Sequence, residues 1–440
     1  MNQKDRLNLA RWVMDTALKN GADQVAVTLT NRRNIDVEFR EKQLDKLKES
    51  KENSLSLDVY AEQKYSGHST NDFRKESLKP FIEEAVRGTK YLTEDPFRTL
   101  PDPKLYPKEV DKDLQIQDSA YEKVESQQRV KLAAEIEASA MAQSDKIIST
   151  TSYYSDTYAE SLKVHSNGFE GMIAGTQFWM GAEVTIDDGQ GGRPSDWVYV
   201  GTRYFSDLPS TEEIGKLAAE RAIKKVGQTK IESGKYHMLV ENRNSSRLLR
   251  MIQSAMAARM LQQKRSYLDG MLDKKIASEK LTVIDDPFLK KGLGSRYYDS
   301  EGIASNRRVL IDKGELKCYL IDNYYGKKLE MKPNSGSTSN VVFENGDQSP
   351  EELIKGIEKG IWVTGFIGGN SNSTTGDFSF GIVGQLIENG QVIKPVNEMN
   401  ISGNAKEFWN QLVAVGNDPY PYATQMLPSI LFEGVQFSGI

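Results

Sequence analysis

The chain has one cysteine, Cys318, and three histidines, His68, His165 and His237, in 440 residues. A single thiol excludes an intramolecular disulfide and fits a reducing compartment, so the expected location is the cytoplasm. The histidines are separated by 97 and 72 residues. That leaves no local pair with metal-ligand spacing, and a metal site would have to be assembled by tertiary contact. Long apolar runs are also missing. No segment approaches the roughly 18 apolar residues of a membrane span, and the longest candidate, Ile361 to Ile367, is interrupted by Thr364 and Gly365. The opening Met1-Asn2-Gln3-Lys4-Asp5-Arg6 leads straight into an amphipathic stretch without the apolar core of a signal peptide, so export is not expected. An excess of basic charge is absent too. The chain carries 57 Lys and Arg against 62 Asp and Glu, for a net charge of −5 and a pI near 5.6. Nucleic-acid binding rests on clustered Lys and Arg, so direct contact with DNA or RNA is not expected.

What is present describes a globular protein. Hydrophobic residues make up 38% and charged residues 27%, with 15 Phe, 19 Tyr and 5 Trp spread along the sequence. The length allows two to four domains. Leu9, Val13 and Ala17 recur at four-residue spacing before Gly21 and predict a helix over 5–20. Val25, Val27 and Leu29, then Ile35, Val37 and Phe39, then Leu55, Leu57 and Val59 alternate with polar residues, as half-buried antiparallel strands do. A second helix is predicted over 75–91. Four prolines, Pro96, Pro101, Pro103 and Pro107, block both helix and central strand and read as an extended linker.

The expected organisation is an N-terminal α+β domain over 1–92, a proline-rich linker over 93–120, a central α+β domain over 121–230 and a β-rich C-terminal domain over 231–440. The central segment combines an Ala- and Glu-rich helix over 121–143, five strand-like runs between Ile147 and Phe205, and a closing helix over 211–227. The Asn167-Gly168, Asp312-Lys313-Gly314 and Glu388-Asn389-Gly390 sequences mark hairpin turns. From Lys235 onward a strand, one long helix over 244–263 and a β-rich tail are expected. The fold class is therefore α+β: an N-terminal α/β region with an antiparallel sheet and helices, followed by a β-rich C-terminal domain.

The tail reads Thr375-Gly376-Asp377-Phe378-Ser379-Phe380-Gly381, then Ile387-Glu388-Asn389-Gly390, then Lys394-Pro395-Val396-Asn397-Glu398-Met399-Asn400-Ile401-Ser402-Gly403-Asn404. The order of its glycines, the acidic-Asn-Gly turn and the Pro-Val-x-Glu-x-x-Ile-x-Gly-Asn ending together resemble the TldD/PmbA family, also known as modulators of DNA gyrase. The resemblance implies a cytosolic protein whose C-terminal domain pairs with a second subunit. It also implies one of two branches. The TldD type carries a His-Glu-x-x-x-His helix that binds a metal and cleaves peptides, whereas the PmbA (TldE) type lacks those ligands and joins the catalytic type as a heterodimer.

The motif position corresponds to Asn242 through Gln263, which contain no His, Asp or Glu. A catalytic zinc needs about three protein ligands and a carboxylate beside its water. Arg243, Arg247, Arg250 and Arg259 stand there instead, among Leu248, Leu249, Ile252, Ala255, Met256 and Met260, as a packing helix with a basic outer face. The expectation is a non-catalytic subunit without a cofactor of its own. Zinc is expected in a TldD-like partner, with peptides or unfolded chains as substrate. In isolation the partner surface could accept a second copy of the chain.

Two other readings compete with this one. An atypical self-sufficient metallopeptidase would draw on His237, Cys318 and a carboxylate of the tail. A gyrase modulator would act by protein binding. His237 reads first as a strand residue packed like its neighbours, and Cys318 as a small buried thiol on one face with Leu316 and Leu320. Asp187-Asp188, Asp285-Asp286 and Asp322 offer carboxylates for a hard metal ion but read first as turn caps. Gly189 to Gly192 and Gly365 to Gly369 lack the setting of a phosphate loop and read as loops. The candidate peptide-binding or interface residues are Gly376, Asp377, Ser379, Gly381 and Glu398, where glycines would let another backbone approach and an extended peptide could add to a sheet edge.

Overall fold

The computed structural model describes residues 1–108 and 112–440, so residues 109–111 of the expected linker lie outside the described residues. The fold is mixed α+β. Its first half is one antiparallel sheet of β1 (Gln24–Arg40), β2 (Gln43–Ala61), β3 (Lys64–Thr70), β4 (Ile147–His165), β5 (Glu170–Ile186) and β6 (Ser195–Thr202). The strand order is β3-β2-β1-β4-β5-β6. The proline-rich segment is thus spanned by the direct pairing of β1 with β4, from Ala26↔His165 to Arg40↔Thr151.

Several strands are twice as long as the sequence runs suggest. The alternation of β1 fades at Asn31-Arg32-Arg33-Asn34, but the backbone there is bonded to both β2 and β4, so extension costs no hydrogen bond. The β1–β2 and β2–β3 hairpins turn on Glu41-Lys42 and Glu62-Gln63, all four at φ between 54° and 59°. Both central residues of a two-residue loop at positive φ make the turn type I′, whose twist matches the flanking strands.

Helices cover one face of this sheet. Val25, Val27 and Leu29 of β1 pack against α1 (Gln3–Lys19) and α2 (Lys75–Thr89). Ile35 and Val37, on the same face of the strand, pack with α3 (Ser126–Met141) and α4 (Thr211–Ile223). The last two helices approach closely at Gly215, where a Cβ would sit 2.6 Å from the carbonyl oxygen of Ile136. A capping box of Ser210 and Glu213 starts α4. Buried in this half, Asp156 accepts from Arg129 at 2.5 Å and from the hydroxyls of Tyr121 and Tyr154 at 2.8 Å each.

The second half holds the largest apolar core. Its strands and helices begin with β7 (Gly234–Val240), α5 (Ser245–Met256) and α6 (Ala258–Gln262). A small sheet follows, built from β8 (Val283–Asp285), β9 (Arg308–Asp312), β10 (Glu315–Leu316), β11 (Val341–Phe343) and β16 (Gln425–Met426). The main sheet joins β7 to β12 (Lys359–Ser371), β13 (Asp377–Glu388), β14 (Gln391–Asn404), β15 (Leu412–Val415) and β17 (Ile430–Ser438) in the order β14-β13-β12-β7-β17-β15. Pairing of Asn400 and Ile401 with Ser438 and Phe437 closes this sheet upon itself. Closure removes a free edge at that end and encloses Phe378, Phe380, Ile382, Met399 and Phe437.

Two expectations are corrected here. The single helix over 244–263 is two helices. Ala257 leaves the helical region at ψ 132°, because the N–H of Ala258 bonds to the carbonyl of Leu320 at 2.9 Å and the carbonyl of Met256 receives the N–H of Leu320 at 3.0 Å. No Gly or Pro marks the break, which is imposed by a neighbouring extended segment. Gly365 to Gly369, expected as a loop, lie within β12, where Gly368 and Gly369 adopt φ of 56° and 77° at a bulge against β13.

Candidate functional site

Between Asn242 and Gln263 the side chains divide by helical periodicity. Leu248, Leu249, Met251, Ile252, Ala255 and Met256 are buried and join the core of the closed sheet. The opposite side carries the arginines, of which Arg250 and Arg259 are exposed and Arg243 and Arg247 half-buried. Ser245, fully buried, bonds to the carbonyl of Pro428 at 2.8 Å and ties the start of α5 to the C-terminal tail.

Just before α5, Glu241 is held by Arg221 of α4 at 2.5 and 3.0 Å, and Arg221 also reaches Asp196 of β6 at 3.3 Å. Arg243 lies over the Trp197 ring, 4.8 Å from its centroid, and donates to the Trp197 carbonyl at 2.9 Å. Its second terminal nitrogen, Nη1, is buried without a hydrogen-bond partner. Burial, followed by the like charge of Arg221, holds this guanidinium below its ordinary pKa. Sequence reasoning missed Arg221, Glu241, Asp196 and Trp197 as a group. They come from three separate elements, and no local spacing joins them.

Asn242 to Gln263 supply no carboxylate, imidazole or thiolate, so the donor chemistry of a zinc centre is absent from this segment. His237 sits in β7 opposite Gly360 of β12, half-buried, with its Nδ1 buried and unpartnered. Cys318 lies just past β10, partly buried against the main core, with its Sγ 3.6 Å from the carbonyl of Val309. Burial pushes the thiol up, away from the thiolate that a nucleophile or ligand requires. Among the described residues no three His, Cys, Asp or Glu side chains lie close enough together to hold a metal ion. Of the aspartates weighed as metal ligands, Asp285 is buried in β8 and accepts from Arg308 at 3.0 Å and from the Ser339 hydroxyl at 2.5 Å, which corrects its reading as a turn cap, while the others serve local turns. Asp187 and Asp188 accept from backbone N–H groups of the 189–192 turn, and Asp322 caps the next helix through the N–H of Tyr325 at 2.7 Å.

The tail residues fall into one group and one outlier. Gly376, at φ 91°, turns the chain into β13. There Asp377 accepts from the Thr375 hydroxyl at 2.6 Å and the Asn404 amide at 2.9 Å, and these bonds, the threonine's first, hold its carboxyl below the usual range. Ser379 is exposed on the same strand opposite Ser402. Gly381 admits the neighbouring backbone, since a Cβ there would lie 2.7 Å from the carbonyl of Ile367. Glu398 is apart from them. It stands at φ 50° in an irregular part of β14, exposed, 3.4 Å from Lys230. Gly381 therefore serves the approach of β12 to β13, and Gly376 the turn beside Asn404.

Two family models match this chain. The PmbA/TldA metallopeptidase central domain matches residues 120–226, and the PmbA/TldA metallopeptidase C-terminal domain matches residues 233–439. A protein named metalloprotease PmbA from Escherichia coli O157:H7 is 28% identical over 426 residues, covering 96% of this chain and 93% of that protein. The crystal structure of a protein described as a candidate modulator of DNA gyrase from Bacteroides thetaiotaomicron VPI-5482 is 42% identical, covers 100% of both chains and superposes with a TM-score of 0.97. The structure of TldE from Thermococcus kodakarensis shares the fold, with a TM-score of 0.87 at 21% identity over 98% of this chain and 100% of that one. Scaffold and matches define a peptidase-related protein. The chain belongs to the PmbA/TldD family.

Proposed function

We propose that the chain is the metal-free subunit of a PmbA/TldD-type peptidase complex, holding peptides or unfolded chain for hydrolysis by a zinc-bearing TldD-like partner in the cytoplasm. The observation that carries this reading is the segment Asn242–Gln263. It offers core-packing and arginine side chains where zinc chemistry needs imidazole or carboxylate ligands and a general base. The helix is also broken at Ala257, so even introduced ligands four residues apart across the break would not share one helical face. The chain contributes binding energy and shape, and the partner contributes the metal. In isolation the same surface can pair two copies of the chain.

The reading is tested by elemental analysis of the purified chain together with hydrolysis of a casein-derived peptide pool. Activity is measured with the chain alone, with a His-Glu-x-x-x-His paralogue from the same genome alone, and with both. The expected outcome is no stoichiometric metal in this chain and hydrolysis that appears or rises strongly on mixing. About one zinc per chain with hydrolysis by the chain alone would overturn it.

A further inference from the structure

The start of α5 borders a pocket of about 340 Å³ lined by Arg243, Asn244, Ser246, Arg247, Arg250, Phe366, Gly368 and Gly369. Three of these eight residues are arginines in a chain of net negative charge. The nearest carboxylate in sequence, Glu241, is committed to Arg221, and among the described residues Arg243, Arg247 and Arg250 form no salt bridge within 4.0 Å. Arg221, beside this junction, is by contrast neutralised by Glu241 and Asp196. Arg243 feels Glu241 and Asp196 as well as the like charge of Arg221, but among the described residues Arg247 and Arg250 have no carboxylate within 4.0 Å, and gathering like charges with too little counter-charge carries a cost. An anion supplied from outside the chain removes it.

We propose that Arg243, Arg247 and Arg250 form a binding site for the C-terminal carboxylate of an extended peptide. Arg243 lines the pocket, and its Nη1 is buried without a hydrogen-bond partner. Its other terminal nitrogen is fixed on the Trp197 carbonyl and its plane lies over the Trp197 ring, so the guanidinium has a set orientation. Arg247 is steadied from below, with its Nη2 on the carbonyls of Gly368 and Gly369 at 3.0 and 3.2 Å and its guanidinium over the Phe380 ring at 4.9 Å. Arg250 is exposed one turn further along the helix and closes the outer side. A planar guanidinium matches the two oxygens of a carboxylate.

The peptide part of the assignment rests on the function proposed above and on the pocket's floor. Opposite the arginines the wall is bare backbone, since a Cβ placed on Gly368 would meet nothing within 4 Å. A peptide main chain can therefore lie against β12 with its end among the arginines, and half-buried Phe366 offers an apolar surface to the last side chain.

The test uses the full-length chain and one fluorescein-labelled, unstructured ten-residue peptide made in two forms, with a free C-terminal carboxylate and with a C-terminal amide. Fluorescence anisotropy should give a dissociation constant about tenfold or more lower for the acid, as charge-assisted hydrogen bonds to one carboxylate supply. Arg250→Gln removes an exposed guanidinium and should bring the two peptides within about threefold of one another while leaving the melting temperature unchanged. Arg247→Gln should do the same even where it lowers the melting temperature slightly. Equal binding of acid and amide, binding of neither up to millimolar concentration, or a preference for the acid that survives both substitutions would overturn the proposal. Inorganic phosphate that displaces both peptides equally would overturn it in favour of a phosphate site. Hydrolysis on mixing with the paralogue, without discrimination of acid from amide, would leave the subunit reading standing and remove only this site.

Discussion

Asp156 provides a direct test of how the first half is held together. Its side chain is fully buried between β1 and β5, 0% exposed, and the Arg129 side chain that meets it at 2.5 Å is 2% exposed. The same carboxylate accepts the hydroxyls of Tyr121 and Tyr154. Burial first, and then the charge of Asp156, push both phenols above their ordinary range, so they remain protonated donors at every accessible pH. Replacing Asp156 by Asn keeps the volume but removes the charge and turns one acceptor into a donor facing donors. Arg129 then keeps the Val124 carbonyl and at most the neutral amide oxygen, with no counter-charge and its Nη2 already unpartnered. A buried cation left without its counter-charge costs about 3–5 kcal/mol. The matching double variant, Asp156→Leu with Arg129→Met, should cost less than the single one, because it leaves no charge stranded. Urea unfolding followed by circular dichroism gives both values from the shifts in midpoint. A loss below about 1 kcal/mol for Asp156→Asn would refute the reasoning, as would a double variant that costs as much as Asp156→Asn or more.

Two further outcomes follow from single positions. Gly369→Ala should destabilise the β12–β13 pair by more than about 2 kcal/mol, since it combines φ 77° with a Cβ 2.2 Å from the carbonyl of Ser379. Gly368→Ala, at φ 56° with open space around it, should cost only about 1 kcal/mol, and thermal melts of the two variants check the contrast. The half-buried carboxyl of Glu301 is lifted to about 7, chiefly by desolvation, with the Asn323 N–H opposing and the charges of Asp299 and Asp322 adding. Its folded form holds the proton more tightly than the unfolded chain, so its contribution is complete below about 4.3 and is lost as pH rises to about 7. His165 is displaced the other way, to about 3, by burial and then by Lys163. Its contribution is present above about 6.5 and is lost as pH falls. Melting temperatures from pH 4 to 8 should therefore rise relative to wild type in Glu301→Gln near pH 7. A Glu301→Gln profile parallel to wild type would show that this carboxyl is not the group responsible.

Much of the architecture is legible in the chain. Period-two alternation places Val25, Val27, Leu29, Leu55, Leu57 and Val59 in strands with a shared buried face, and the structure puts all six in one core. The Asn167-Gly168 and Glu388-Asn389-Gly390 turns lie where their backbone preferences predict, between β4 and β5 and between β13 and β14. The turns at Glu41-Lys42 and Glu62-Gln63 were not legible, because neither pair has the residues that favour positive φ. There the register of long flanking strands imposes the conformation.

The candidate site divides in the same way. Composition alone establishes that Asn242–Gln263 lacks metal-binding side chains, because a missing functional group needs no geometry to be recognised. Gly376, Asp377, Ser379 and Gly381 could be placed together because they are neighbours on one strand, while Glu398 separates from them at an irregularity in β14. Only the tertiary structure brings Arg221 and Trp197 to the start of α5 beside Glu241, breaks the helix at Ala257 and folds β12 under Arg247. Local propensity acts over a few residues, whereas these contacts join segments from Asp196 to Gly369. Their positions follow from how two sheets pack, which no short stretch of the sequence encodes.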